Sequence, residues 1–432
     1  MSLILRFAKY SEFSLSLCKK IAERIPTTIE RVMNNTKSER KSRYDGRTKK
    51  RQWEERRSDK GAGLDPSLPK LVKTNEAEFQ KALNKTKRRK FCLLMGYSGV
   101  NYYGMQRNPH TKTIEEELFQ ALFDSAFINK ECYEQVQNMQ FQRAARTDKG
   151  VSAARQVVSL KLDENFDLNT INEKLPETIK VFAYKRVTKG FNAKSQCDGR
   201  TYIYLTPTVV FSSQKDPPCI QKEFKLSKEI YEQVNRLLGL YIGTKNFHNF
   251  TSKKQPTDPS AKRFIRSFIC EEPFVKDDVE FCVLKVNGQS FMLHQIRKMV
   301  GLVIAVLKGI ASEDTITKAL SVEKINIPRA PGLGLVLDYV HYERYNNKYG
   351  NDGMHEKLMW DEVEKDVQEF KEKYIYPTII NTELEKEEMV KWTLKKLSRH
   401  SYDSDEKYES DDEGADEDDL DEIEKSKQQN NI

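Results

Sequence analysis

The stretch Ala145-Arg146-Thr147-Asp148-Lys149-Gly150-Val151-Ser152-Ala153 places one carboxylate two residues after an arginine and two before a glycine. Glycine supplies a positive φ and aspartate bonds its own backbone, so the spacing predicts a tight turn with Asp148 at its tip. A cation within reach lowers a carboxyl pKa, and Asp148 is expected to be ionised. Gln156-Val157-Val158-Ser159-Leu160-Lys161-Leu162 follows and reads as a strand rich in branched residues. A lone ionised aspartate on a loop feeding a strand suits covalent attack on an electrophile better than metal binding or proton shuttling. Taken alone, Asp-Lys-Gly is equally the chemistry of a plain surface turn, and other segments must decide.

Two segments do so. Gly199-Arg200-Thr201-Tyr202-Ile203-Tyr204-Leu205 alternates as a strand does, with Tyr202 and Tyr204 on one face and Thr201, Ile203 and Leu205 on the other. Ser290-Phe291-Met292-Leu293-His294-Gln295-Ile296-Arg297-Lys298-Met299-Val300-Gly301 opens a helix whose apolar residues Ile296, Met299, Val300, Val303, Ile304 and Leu307 fall at helical spacing. Arg297 sits in its first turn, and a cation in such apolar company needs a partner.

The segments around Asp148, Tyr202 and Arg297 resemble, in order and spacing, the three motifs of the TruA-type tRNA pseudouridine synthases. Lys149 and Ser152 stand where bacterial members carry a small residue and a histidine, which resembles the eukaryotic pseudouridine synthase 1 branch. Tyr102-Tyr103-Gly104-Met105-Gln106-Arg107, Gly243-Thr244-Lys245-Asn246-Phe247-His248-Asn249-Phe250 and Pro331-Gly332-Leu333-Gly334-Leu335-Val336-Leu337 resemble it too, so the likeness runs from about residue 89 to 383.

The resemblance implies an isomerase that turns uridine into pseudouridine in RNA, with no cofactor and no metal. It implies Asp148 as the nucleophile, attacking the sugar C1′ or the uracil C6, or acting on the C2′ proton. Arg297 is implied as the ion-pair partner of Asp148, and Tyr202 as the residue stacked on uracil and a candidate acceptor for the C5 proton. Arg146 is expected to fill the place of an everted base or hold its phosphate, since a base in a stem must leave it to be reached. Phe247, His248 and Asn249 are expected along the RNA path. The implied partner is tRNA, in the anticodon-stem region, with small nuclear and messenger RNA also admitted. No membrane and no obligate protein partner are expected.

Charge agrees with a polyanionic partner. The chain of 432 residues carries +8, but residues 401–432 hold fourteen acidic residues against three lysines, a net of −11, which leaves +19 on the rest. The seven cysteines form no Cys-x-x-Cys pair and are expected to be reduced thiols. Met299–Leu307 is far shorter than the ~20 apolar residues of a membrane span. The alternation of strands and helices gives an expected α+β fold with a C-terminal helical extension, and the resemblance implies two ferredoxin-like α/β halves sharing a largely antiparallel sheet with a basic central cleft. Five regions follow: a basic, mostly disordered segment at 1–88, core halves at 89–190 and 191–345, helices at 346–398, and an acidic tail at 399–432.

Residues 1–24 have the cationic, leucine- and serine-rich character of a mitochondrial presequence, weakened by Glu12 and Glu23. Residues 37–57 hold ten basic residues against four acidic ones and read as a nuclear address, an RNA-gripping arm or a solvated linker. The nucleus, the mitochondrion or both are the expected places of action. Two other functions are weighed. A non-catalytic tRNA-binding or folding protein would need the basic body without Asp148. A glycoside hydrolase would want a second carboxylate beside the bond.

Overall fold

The apolar-rich stretches 91–97 and 152–160 form strands buried along their length, and they lie in one sheet. The structure, a computed structural model, describes residues 88–212, 224–252 and 254–403. The expected presequence, the basic arm at 37–57 and the acidic tail from 404 onward lie outside the described residues. The described residues belong to one compact unit.

Elements of the first part are β1 (Arg88–Tyr97), α1 (Ile114–Asp124), α2 (Lys130–Glu134), β2 (Gln142–Arg143), β3 (Ser152–Asp163), α3 (Leu168–Lys174) and β4 (Ile179–Arg186). Next come β5 (Gly199–Pro207), α4 (Lys228–Gly239), β6 (Gly243–Asn246), β7 (Lys262–Cys270), β8 (Phe274–Lys276) and β9 (Val279–Gly288). The chain continues through α5 (Gln295–Leu307), α6 (Asp314–Ala319), β10 (Leu335–His341) and α7 (Glu343–Tyr349). Three more helices close it: α8 (Glu364–Phe370), α9 (Tyr376–Lys386) and α10 (Glu388–Lys395).

Side-chain caps start α1, α3 and α4. Thr113 caps α1 by accepting from the Glu116 N–H at 3.4 Å, as the Thr-x-x-Glu pattern requires. Asp167 caps α3 at 2.8 Å and Ser227 caps α4 at 3.3 Å. Between α8 and α9 the helix widens into a π-turn over Lys371–Ile375, just before Pro377. Proline lacks an N–H and crowds the carbonyl four residues back, which accounts for the widening.

The sheet order is β4-β1-β3-β10-β5-β9-β7-β6, with β2 beside β3 and β8 beside β9. Among the described residues every pairing is antiparallel except β3 with β10, so the sheet is largely antiparallel, as the resemblance implied. That one parallel seam joins the strands of the first part to those of the second. There Val336 meets Ser152 and Leu337 meets Ala153, the residues four and five positions after Asp148. On its other side β10 sets Leu337 opposite Tyr202. One strand thus holds the two site-bearing strands at a fixed separation.

The C-terminal helices dock on the sheet. Phe370 packs edge-on against Phe182 of β4 with ring centres 5.5 Å apart. Arg155 of β3, almost fully buried, donates to Glu364 of α8 with two 2.7 Å contacts and to Asp338 of β10 at 3.3 Å. Lys371 adds a 2.9 Å bond to the same Asp338. Buried cations find acidic partners here, which clasps the extension to the seam.

Candidate active site

The Asp148 turn forms as predicted: the Asp148 carbonyl accepts from the Val151 N–H at 3.2 Å, and Gly150 takes φ +74° between them. The residues before it are held by one side chain. Gln156, fully buried on β3, donates from Nε2 to the Ala145 carbonyl at 2.9 Å and accepts the Ala145 N–H at 3.2 Å. Its neighbour Arg155 points to the opposite face, where the C-terminal helices lie. Thr147 bonds the buried Tyr97 hydroxyl at 2.9 Å. The loop 98–113 crosses the turn, with Met105 N–H donating to the Thr147 carbonyl at 3.1 Å. Only glycine fits at position 104, where φ is +91° and a Cβ would meet the Thr147 carbonyl at 2.7 Å.

Asp148 opens into a cavity of about 570 Å³, a size suited to a nucleotide-scale ligand. Arg143, Arg146, Lys194, Arg200, Tyr202, Phe291 and His294 line it as well. Tyr202 is 7% exposed and meets Phe291 edge-on at 5.3 Å, which fixes its ring orientation. Burial pushes its hydroxyl up to about 12, so at rest it is a neutral phenol. Arg146 stands exposed at the rim, and Arg143 is anchored at its side by the buried Glu115.

Arg297 approaches from the first turn of α5. Its Nε donates to the Ala330 carbonyl at 2.7 Å, and its positive charge favours ionised Asp148. One expectation is corrected here. Burial is the largest influence on the Asp148 carboxyl and raises it above its ordinary value, with Arg297 and then Arg329 pulling it back. Neighbouring cations alone would have lowered it, and desolvation outweighs them.

Phe247 and His248 are also placed differently from the expectation. Phe247 is fully buried and stacks near Tyr241 and Phe250, while His248 is 2% exposed on the same 3₁₀ turn. Asn249 beside them ties the turn to the Ala319 and Glu323 carbonyls at 3.0 and 2.8 Å. These side chains support α5 from behind, and none of them lines the cavity.

Two residues that sequence reasoning passed over lie in the site. His294, in the left-handed region at φ +61°, brings Nε2 to 3.8 Å from Asp148 Oδ2. Arg329 Nη1 stands 3.3 Å from the His294 ring and is the second cation acting on Asp148. A signal existed for His294, which lies one helical turn before Arg297 in the same segment. Arg329 had none, because its approach depends on the loop between α6 and β10.

A half-buried carboxylate among cations, sharing a basic cavity with an oriented aromatic ring, suits an anionic, ring-bearing ligand. Comparison with known proteins gives the class. Residues 238–343 match the family model described as tRNA pseudouridine synthase. The chain is similar to a Mus musculus protein named Pseudouridylate synthase 1 homolog, 51% identical over 337 residues, covering 77% of this chain and 79% of that protein. The Homo sapiens protein of the same name is 54% identical over 314 residues, covering 72% and 73%. A Yarrowia lipolytica protein named tRNA pseudouridine synthase 1 is 33% identical over 379 residues, covering 68% and 71%. The chain belongs to the TruA family of tRNA pseudouridine synthases, and it is an isomerase.

Proposed function

We propose that this enzyme converts uridine to pseudouridine in tRNA, with the anticodon-stem region as its main target and other structured RNAs, small nuclear and messenger RNA among them, as further substrates. The observation that carries the reading is the shared cavity: Asp148, Tyr202 and Arg146 line one space of nucleotide size, ringed by Arg143, Lys194 and Arg200. The basic residues suit the sugar-phosphate backbone, and a single base reaches Asp148 only when turned out of its stack.

The reaction breaks the N1–C1′ bond, turns the uracil, and joins C5 to C1′. The C5 proton leaves and N1 regains one, so neither redox partner nor group donor is consumed. In our reading Asp148 is the nucleophile, and attack at the sugar or at uracil C6 fits the same cavity. Arg297 keeps the oxygen charged against the pull of burial, and Arg329 adds to it. Tyr202 stacks on the uracil. Stacking needs no ionisation, whereas accepting the C5 proton does, and burial of the hydroxyl works against that second role. Arg146, at the rim, holds the everted nucleotide's phosphate or the gap it leaves. The basic segments at 1–24 and 37–57 make the mitochondrion and the nucleus the proposed places of action.

The test is Asp148→Asn in the full chain, assayed with tRNA. We expect tRNA affinity within about threefold of wild type, since phosphate contacts dominate binding, and no pseudouridine. Product formed at the wild-type rate would remove Asp148 from the role. Mapping pseudouridines in tRNA from cells lacking the protein would locate its targets.

A further inference from the structure

The C-terminal helices have no part in the chemistry described so far, yet one buried line of contacts runs from them to Arg297. It passes through Tyr204, which shares a strand face with Tyr202 two residues earlier and is fully buried. The Tyr204 hydroxyl donates to the Pro331 carbonyl at 2.8 Å and also reaches the Met389 sulfur at 3.2 Å. Met389 is 1% exposed in the first turn of α10, and its N–H donates to the buried Glu383 carboxyl at 3.1 Å. On the far side, Pro331 sits between the two residues that meet Arg297. The Ala330 carbonyl accepts from Arg297 Nε at 2.7 Å, and the Ala330 N–H donates to the Arg297 carbonyl at 3.2 Å. Gly332 lies so close that a Cβ there would be 3.5 Å from the guanidinium carbon.

We propose that Tyr204 and Met389 are positioning residues that hold segment 330–332 against Arg297, which makes the C-terminal helices a working part of the isomerase. The proposal rests on the reading that Arg297 steadies Asp148. The arginine side chain is long and its Nε is pinned by one loop carbonyl, so where that loop stands decides where the charge points. A loop before a strand is the kind of support that drifts unless tied. Tyr204 ties it from the sheet, and Met389 sets the hydroxyl from the opposite side. Misplacement of about 1 Å at such a group is enough to cost much of a catalytic effect.

The experiment compares the full-length wild type with Tyr204→Phe, Met389→Leu, Arg297→Lys and the double variant Tyr204→Phe/Arg297→Lys. Each is read for kcat, KM and tRNA affinity. Phenylalanine keeps the ring and leucine keeps most of the volume, so each removes one polar contact. We expect Tyr204→Phe to lower kcat about tenfold with KM and affinity within about twofold, and Met389→Leu to lower kcat by a smaller factor in the same manner. The double variant should turn over no more slowly than Arg297→Lys, because the tyrosine acts through the arginine. Wild-type kcat in both Tyr204→Phe and Met389→Leu would overturn the proposal. So would losses that multiply in the double variant, which is the mark of an unrelated structural role. If Tyr204→Phe does not fold, Met389→Leu alone and combined with Arg297→Lys gives the same reading. Full activity of Arg297→Lys would instead refute the assignment of Arg297, a different outcome from failure of Tyr204.

Discussion

Arg200 donates to the carbonyl of Ala144 from both Nε, at 3.2 Å, and Nη2, at 2.5 Å. The strand that carries Tyr202 therefore grips the loop that carries Asp148, across the seam between the two parts of the sheet. Gln156 holds the next residue of that loop from β3. The spacing between carboxylate and aromatic ring is thus fixed by two polar side chains that reach backbone atoms, one from each part. Arg200→Gln is expected to lower kcat/KM about tenfold while the protein melts within a few degrees of wild type, measured by steady-state assay and thermal scan.

The acid side of the pH profile should report Asp148. Its ionised form is the reactive one in our reading, and burial raises its pKa while Arg297 and Arg329 lower it. Removing a cation leaves burial less opposed. Arg329→Gln should therefore move the acid limb of kcat/KM to higher pH, and an unchanged limb would deny Arg329 its influence.

Tyr202 separates stacking from proton transfer. Tyr202→Phe keeps the ring between Phe291 and the cavity, so tRNA affinity and kcat should both stay within about twofold, and a fall of about tenfold in kcat would instead give the hydroxyl a part in proton transfer. Tyr202→Ala loses the stacking surface, worth about 1–3 kcal/mol per base, and should weaken both. Filter binding alongside single-turnover assays distinguishes the two.

The clasp at the seam predicts stability. Asp338 accepts from Arg155 and Lys371, all three largely buried. Asp338→Ala takes the carboxylate from the buried Lys371 and leaves Arg155 with Glu364, and should cost about 3–5 kcal/mol in urea unfolding. Glu364 is half exposed at the end of the same network, and Glu364→Ala should cost about 1 kcal/mol or less. Equal losses would show that burial does not govern these pairs.

Glu383 predicts a pH-dependent melting temperature. Burial pushes its carboxyl up to about 8 from an ordinary 4.5. A raised folded pKa means the folded state binds more protons in that window, so this contribution is complete below pH 4.5 and is lost as pH rises through 8. Gln keeps the acceptor for the Met389 N–H without the charge. Glu383→Gln should match wild type near pH 4 and melt higher at pH 9. An equal decline in both proteins would assign it to other groups.

The Asp148 turn, the Tyr202 strand, the Thr113 cap and the Arg297 helix were legible in sequence because each is set by residues within a dozen positions. Turn chemistry, capping and periodicity are local. The short strands β6 and β8 passed unnoticed, since three or four residues carry too little pattern. The placement of Phe247 and His248 was misread because their segment has no period that tells an inner face from an outer one.

The amino-acid order by itself pointed to Asp148, Tyr202 and Arg297 as candidates for the chemistry, since their types and their spacing within single elements are written along the chain. Tertiary structure alone decided how strongly Asp148 is desolvated, that His294 and Arg329 stand beside it, and that β3 and β10 run parallel at the seam. It also brought Met389 against Tyr204, 185 positions away. Burial and long-range contact are properties of how elements pack, and no local pattern encodes which distant residue will fill a given space.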